Sequence, residues 1–335
     1  MTRFKFFIII YPLLMSVQSA FAQQADSTST QKKQLTKKQP YVVQKKATFL
    51  SLTHGMSGYL GDLGGNKGAG KGFMKDFNFK KRTSFTGVAF SYLKNEKLGI
   101  RLSYTAGRIE GSDQDATFTS QSDPAYLRYK RNLNFRTKIS EISLLVEAYP
   151  LKFLKTEQKY YHWSFQPYVM LGLGRYKFNP QGTYYDPISG EETWVDLQPL
   201  QTEGQGMNEY PDRKYYKLGQ INMPYGLGIR YALGKKTSLA FEYVGRKLFT
   251  DYLDDVSTNY IDPSLYDDYL GEDDATIAKA IHNKSNLVAP TDAYKTGDKR
   301  GNSKRNDFYY SFNLKFSVQI NRQRKQVKPT LTNTK

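Results

Sequence analysis

The residues from Phe308 to Ile320 alternate without a break. Phe308, Tyr310, Phe312, Leu314, Phe316, Val318 and Ile320 share one face, and Tyr309, Ser311, Asn313, Lys315, Ser317 and Gln319 share the other. A period of two marks a β-strand, because successive side chains point to opposite faces of a sheet. These 13 residues, at about 3.3 Å each, are long enough to cross a tilted membrane passage. A strand in an ordinary globular sheet has only about five or six residues.

Seven further segments read the same way, less cleanly: Thr48–Gly55, Ser84–Leu93, Leu98–Arg108, Thr137–Tyr149, His162–Lys177, Gln220–Leu233 and Ser238–Phe249. In the third, Ile100, Leu102, Tyr104 and Ala106 oppose Gly99, Arg101, Ser103 and Thr105. In the sixth, Leu227, Ile229 and Tyr231 oppose Gly226, Gly228 and Arg230. Gly172 and Gly174 fall on the inner face of the fifth, where a narrow lumen leaves little room for side chains.

The connections alternate in length. Strands two and three are joined by a few residues around Asn95-Glu96, four and five by about ten, and six and seven by Gly234-Lys235-Lys236. The others run from about 25 to more than 50 residues. Short turns at one end and long loops at the other is the outer-membrane pattern, with the short turns in the periplasm. The expected fold is therefore all-β: an antiparallel transmembrane β-barrel, of eight strands with ten as the rival. Short periplasmic turns, long extracellular loops and an even strand count place both termini in the periplasm.

The rest of the chain agrees with export. Arg3 and Lys5 precede the apolar run Phe6 to Leu14, and Ala20-Phe21-Ala22 supplies a small-x-small cleavage site, so 1–22 reads as a signal peptide removed near Ala22. The run is too short to be a membrane anchor. No cysteine occurs, which excludes lipoprotein acylation, disulfides, thiolate zinc sites and a cysteine nucleophile. The 27 Tyr and 20 Phe sit in an otherwise polar chain, as in a barrel where only alternate residues meet lipid. The organisation expected is a basic periplasmic linker at 23–47, an outer-membrane barrel at 48–320 and a basic periplasmic tail at 321–335. Linker and tail each carry a net charge of +5, while the mature chain carries +16, the full +18 less Arg3 and Lys5. Nucleic acid is a poor partner for an exported protein. Phospholipid headgroups or acidic protein surfaces suit these tails better, and Arg322, Arg324, Lys325 and Lys328 are the candidate contact. Solvated, disordered tails are the bland alternative.

Seven charged residues fall on the inner face: Arg101, Glu141, Glu147, Arg230, Glu242, Arg246 and Lys315. An isolated buried charge is very costly, so these must pair. A tight hairpin of strands six and seven would set Arg230 opposite or diagonal to Glu242. The expectation is a network that fills the lumen and fixes register rather than a transport pathway, since eight strands leave an interior about wide enough for side chains.

No catalytic, cofactor or metal site is expected. Gly65 to Gly72 resembles a phosphate-binding loop, but Gly72 stands where a magnesium-binding Ser or Thr belongs and no helix signal follows. His54, His162 and His282 are scattered. His54 near Ser51 or Ser57 lacks a carboxylate to orient it for esterase chemistry. The acids from Asp251 to Asp274 could hold calcium, but they read better as a solvated loop, with Asp273 or Asp274 capping a short helix through about Asn283.

Five segments together resemble a family. Gly58-Tyr59-Leu60-Gly61-Asp62, Gln166 to Gly174, Pro224 to Gly228, Thr250-Asp251-Tyr252-Leu253-Asp254-Asp255-Val256-Ser257 and Arg300-Gly301-Asn302 resemble the PorG-like outer-membrane barrels of Bacteroidota. The Thr250–Ser257 stretch is the most particular of them. The resemblance implies a component of the type IX secretion system, associated with gliding motility and with periplasmic ring proteins resembling PorK and PorN. The Lys-rich amino-terminal segment and the tail beyond the last strand depart from the usual pattern. Two function classes follow: a non-enzymatic part of a secretion apparatus, or a stand-alone barrel, either structural, adhesive or a lipid-modifying enzyme.

Overall fold

The computed structural model describes residues 46–64, 83–154 and 165–321. The leader, nearly all of the linker, the glycine-rich 65–72, His162 and the tail residues Arg322, Arg324, Lys325 and Lys328 lie outside the described residues.

Eight long strands form the wall: β1 Lys46–Leu60, β2 Thr83–Lys94, β3 Leu98–Ser112, β4 Asn134–Ala148, β5 Phe165–Lys177, β8 Gly219–Ala232, β9 Thr237–Leu248 and β10 Phe308–Gln319. Each pairs antiparallel with its neighbours, and β1 pairs with β10 to close the ring. Closure removes every open edge from the wall, the condition for burying strands in lipid. A short hairpin, β6 Pro180–Tyr185 and β7 Glu192–Asp196, hangs from the start of β4 through Arg136↔Gln181 and Thr137↔Pro180. The continuous sheet therefore has ten strands while the wall has eight. No helix among the described residues is long and apolar enough to cross a membrane.

Alternation decides which face each residue takes. Leu52, Phe90, Leu102, Leu144, Leu171, Leu227, Phe241 and Leu314, one from each wall strand, all point outward and exposed. A soluble monomer rarely shows an apolar surface continuous around its whole girth, whereas acyl chains would cover it. Inward neighbours such as Arg101, Ser143, Glu242 and Lys315 are buried. Tyr310 is the exception on β10. It lies on the outward parity but is only 2 % exposed, because it sits over Gly58 between the rings of Phe308 and Phe312. A Cβ at Gly58 would come within 2.3 Å of that ring. β1 runs to Leu60, five residues past the end expected from its apolar pattern, because its ladder with β10 continues to Leu60↔Phe308.

The two ends of the barrel differ. At one end, Asn95 and Glu96 turn the chain in left-handed conformations (φ 52° and 57°), and Lys97 N–H donates to the Lys94 carbonyl at 3.1 Å. Both ends of the described barrel meet there: Asn321 Nδ2 donates to the Lys46 carbonyl at 2.8 Å. The long connections 61–82, 113–133, 178–218 and 249–307 all emerge at the other end, where their described parts fold into a cap with its own apolar core around Leu197, Met207, Ile261, Tyr266 and Ile281. Its helices are α1 Pro124–Arg131, α2 Tyr266–Tyr269 and α3 Glu272–His282. Asp123 caps α1 by accepting from Ala125 N–H at 2.9 Å, and left-handed Asn132 ends it. α3 begins at Glu272, so Asp273 and Asp274 lie in its first turn rather than at its cap. There they favour the helix dipole, while Ala275, Ala278 and Ile281 face the cap core.

Candidate functional site

The inward charges form two clusters in the lumen. In the first, the Arg101 guanidinium meets both Glu242 oxygens, at 2.7 and 3.2 Å, and also contacts Glu147. Lys315 Nζ lies 2.6 Å from Glu242 and 3.7 Å from Glu147. Tyr168 donates its hydroxyl to Glu242, and Tyr149 donates to Glu147 at 3.1 Å. Two cations thus face two carboxylates. In the second cluster, nearer the cap, Arg246 Nε donates to Glu141 at 3.0 Å. The same carboxylate accepts from Asn222 at 2.7 Å and from the Tyr309 hydroxyl at 2.6 Å. One cation faces one carboxylate.

Arg230 joins the edge of the first cluster through Tyr149, to which it is hydrogen-bonded, rather than through Glu242. The register sets it against Ala240, diagonal to Glu242. Its guanidinium nevertheless lies over the rings of Phe49, at 4.8 Å, and Tyr149, at 5.8 Å. The lumen there offers aromatic faces that attract a cation, and Glu242 is already taken by Arg101 and Lys315. Tyr149, Tyr168 and Asn222 complete the clusters and were not singled out from the sequence. Their inward parity was the available signal. Between the clusters, a void of about 30 Å³ is bordered by Arg101, Glu141, Glu242 and Arg246, enough for a water or two.

The barrel mouth is crossed by the Thr250–Ser257 stretch. Asp254 accepts from Tyr59 Oη at 2.5 Å, Leu63 N–H at 2.8 Å and Val256 N–H at 3.0 Å. Asp307 lies 2.8 Å from the same Tyr59 hydroxyl and accepts from Leu253 N–H at 2.9 Å. One phenol hydroxyl thus bridges two buried carboxylates and brings their charges close together. Burial and the nearby Asp62 charge push the Asp254 carboxyl up to about 7. Burial, then Asp254 and Asp251, push Asp307 well above the usual carboxylate range. Burial also lifts Asp255 to about 6, against the pull of Arg300; it accepts from Tyr216 Oη at 2.6 Å and from the Thr202 hydroxyl.

Glu203 ties this stretch to the rest of the cap. It accepts from Ser257 N–H, Thr258 N–H and Arg300, at 2.9, 2.9 and 2.8 Å. Arg300 also donates to the Asp255 carbonyl at 2.6 Å, and Asn302 N–H donates to Asp62 at 2.6 Å. Gly301 is needed here because a Cβ would lie 2.6–2.7 Å from the Ser257 backbone. Three of the five resemblance segments, around Asp62, Asp254 and Arg300, therefore converge on one hydrogen-bonded knot.

This corrects the reading of the acidic loop as solvated. Asp251, Asp254 and Asp255 are buried; Asp254 serves backbone N–H groups that need an acceptor away from water, and Asp255 serves the buried hydroxyls of Thr202 and Tyr216. Only the later acids, Asp262, Asp267, Asp268 and Glu272 to Asp274, face solvent. No group of three or more His, Asp or Glu among the described residues is arranged to hold a metal ion. His54 faces outward and meets Thr86 Oγ1 at 2.9 Å, whereas Ser51 bonds Ser317 inside the barrel. His282 is buried, and burial together with Arg300 pulls it down to about 4.

A cleft of about 750 Å³ opens on the cap between α1 and the segment 292–305. Arg128 and Lys130 line one side, and Tyr294, Lys295, Lys299 and Arg305 the other. Nothing in the sequence pointed to it, because its two walls are separated by more than 150 residues, as in the Lys130–Asp292 pair at 2.6 Å.

A closed eight-stranded ring with an apolar outer girth, a polar lumen and loops sorted by length is an outer-membrane-type β-barrel, a wall suited to membrane lipid. The chain belongs to the family described as Domain of unknown function (DUF6089), whose profile matches residues 41–267, seven of the eight wall strands with the hairpin between them. No curated protein matches the chain. Among solved structures, it is similar to the attachment invasion locus protein Ail of Yersinia pestis, with 9 % identity, 83 % of this chain and 100 % of that one covered, and a TM-score of 0.34. A major outer membrane protein from Thermus thermophilus is similar at 11 % identity, 82 % and 100 % coverage and a TM-score of 0.36. OprG of Pseudomonas aeruginosa is similar at 11 % identity, 84 % and 100 % coverage and a TM-score of 0.30.

Proposed function

We propose that the chain is a non-enzymatic barrel of the Gram-negative outer membrane, with its cap at the cell surface as the working part and its wall as an anchor. The observation that carries this is the filled lumen. Arg101, Lys315 and Arg246 face Glu147, Glu242 and Glu141 in paired clusters, and a void of about 30 Å³ lies between them. Such an interior favours stability and register over passage of solutes. The cap, by contrast, has its own core and a cleft. The reading is tested by reconstituting the purified protein in planar bilayers and by assaying it for acyl hydrolysis and acyl transfer. Neither ion current nor turnover is expected; a steady open-channel current or catalysed acyl chemistry overturns it.

The resemblance to PorG-like barrels supports a second reading, a component of a type IX secretion apparatus held by periplasmic partners resembling PorK and PorN. Exposed Lys46, Lys94, Lys235 and Lys236 at the short-turn end are consistent with an acidic partner there, as are the basic flanks. The stretch that carries most of that resemblance, Thr250–Ser257, is engaged in holding the cap at the opposite end, so the stand-alone surface barrel is preferred. Deleting the gene separates the two. Intact protein secretion and gliding favour the stand-alone barrel, and their loss favours the apparatus. Neutralising Arg322, Arg324, Lys325 and Lys328 together should then reduce recovery of the ring partners if the tail is the contact.

A further inference from the structure

We infer that the cleft between α1 and the segment 292–305 binds a phosphorylated saccharide. The inference deepens the surface-barrel reading, on which it rests only for the source of the ligand. The volume, about 750 Å³, falls within the range of about 300–1,000 Å³ usual for small-ligand sites. It is far larger than a lone inorganic phosphate requires.

The lining carries seven cationic side chains and three carboxylates. Behind the wall, Asp113 answers Arg131 with two bonds of 2.8 Å, and Glu203 answers Arg300. Counting both, seven positive charges face five negative ones among the described residues. Lys130 is matched by Asp292, and the Asp298 carboxylate accepts from Lys295 N–H at 2.7 Å. The excess belongs to the cleft as a whole, with Lys295 and Lys299 among its exposed cations. Positive charge in a concave site with low-dielectric walls focuses the field on an anion. Arg128 is buried and already aimed at the Gly64 carbonyl, so its fork is held in place before any ligand arrives.

The apolar part of the lining selects what the anion is attached to. Tyr294 is positioned by its hydroxyl, which donates to the Leu127 carbonyl at 2.9 Å, and Lys130 Nζ lies 4.5 Å from its ring. Pro124 and Leu127 add apolar surface beside it. Mixed charge and ring surface suits a sugar, whose C–H faces stack while its phosphate meets the cations. An acyl chain would need apolar walls throughout. The same chemistry is offered by the phosphorylated core of surface lipopolysaccharide and by free anionic glycans.

The test is calorimetry of the full barrel in detergent, titrated with a monophosphorylated glucosamine disaccharide and with the same disaccharide lacking phosphate. The phosphorylated probe should bind at least about tenfold more tightly, and more weakly as salt rises, since exposed cations are screened over about 10 Å at 0.1 M. Lys295→Gln/Lys299→Gln should weaken it about tenfold without disturbing the fold, because both side chains are exposed. Equal binding of the two probes, or a double variant that binds as the parent does, overturns the inference. Competition by vesicles containing phosphorylated lipopolysaccharide assigns the ligand to the membrane, and binding without such competition assigns it to a free glycan. Lys299→Cys should also react with an impermeant thiol reagent on intact cells. If it does not, the surface reading fails while binding in solution still stands.

Discussion

Glu242→Gln perturbs the centre of the lumen. Glu242 and Arg101 have side chains only 2 % and 4 % exposed, so water screens their interaction little. The carboxylate receives Arg101, Lys315 and Tyr168. The amide keeps one acceptor oxygen but removes the charge, leaving Arg101 and Lys315 against Glu147 alone. Breaking a buried pair from one side costs about 3–5 kcal/mol, because the partner charge remains buried without compensation. Adding Lys315→Met removes the cation left over beside Arg101 and Glu147, and should recover about 0.5–3 kcal/mol, the usual coupling between contacting residues. Guanidinium titration of the barrel in micelles, followed by tryptophan emission, measures both variants. A loss below about 1 kcal/mol for the single variant, or a double variant no more stable than the single one, would show that water screens the lumen and that the clusters do not hold the barrel together.

Asp254 makes the cap pH-sensitive. Its folded-state carboxyl near 7 lies above its unfolded value of about 3.9. The folded cap therefore retains a proton that the unfolded chain releases, so stability is fullest below about pH 4 and declines as pH rises towards about 7. Amide exchange at Leu63 and Val256, corrected for its intrinsic rate, should speed up over that window and flatten in Asp254→Asn; an unchanged profile in the variant refutes the assignment. Leu314→Lys, on the outward face at mid-strand, should cost about 2–4 kcal/mol in bilayer refolding. Ile188→Lys, at the hairpin tip and 94 % exposed, should stay within about 0.5 kcal/mol, and equal costs would count against the lipid-facing band. Gly301→Ala should loosen the knot, because its Cβ meets backbone rather than a side chain that can swing away; proteolysis of the cap on intact cells should accelerate while the barrel stays folded. Cysteines at Gly190 and Asp268 should label on intact cells and one at Lys235 should not, and the reverse pattern would invert the topology.

Much of the wall was legible because the evidence for a strand is local. Alternation along Phe308–Ile320 or Leu98–Arg108 assigns each residue to lipid or lumen without knowing its partner; the count of alternating segments indicates eight strands, with ten as the rival, and connection lengths indicate two unlike ends. Inward charges could be expected to pair, since burial forbids leaving them alone, but not with whom. Arg230 shows the limit: it sits diagonal to Glu242, yet lies over Phe49 and Tyr149 because the carboxylate is already occupied. The cap was less legible still. Asp254 meets Tyr59 across 195 residues of sequence, and Lys130 meets Asp292 across 162. Spacing along the chain carries no record of such contacts. An acidic run that looks solvated becomes buried once distant segments are brought over it, with Leu63 N–H and the Tyr59 hydroxyl on Asp254 and the Tyr216 and Thr202 hydroxyls on Asp255. Periodicity along the chain therefore determined the barrel and its two faces. Only the tertiary structure decided the knot at the mouth and the basic cleft, because each exists only where segments far apart in sequence meet and exclude water.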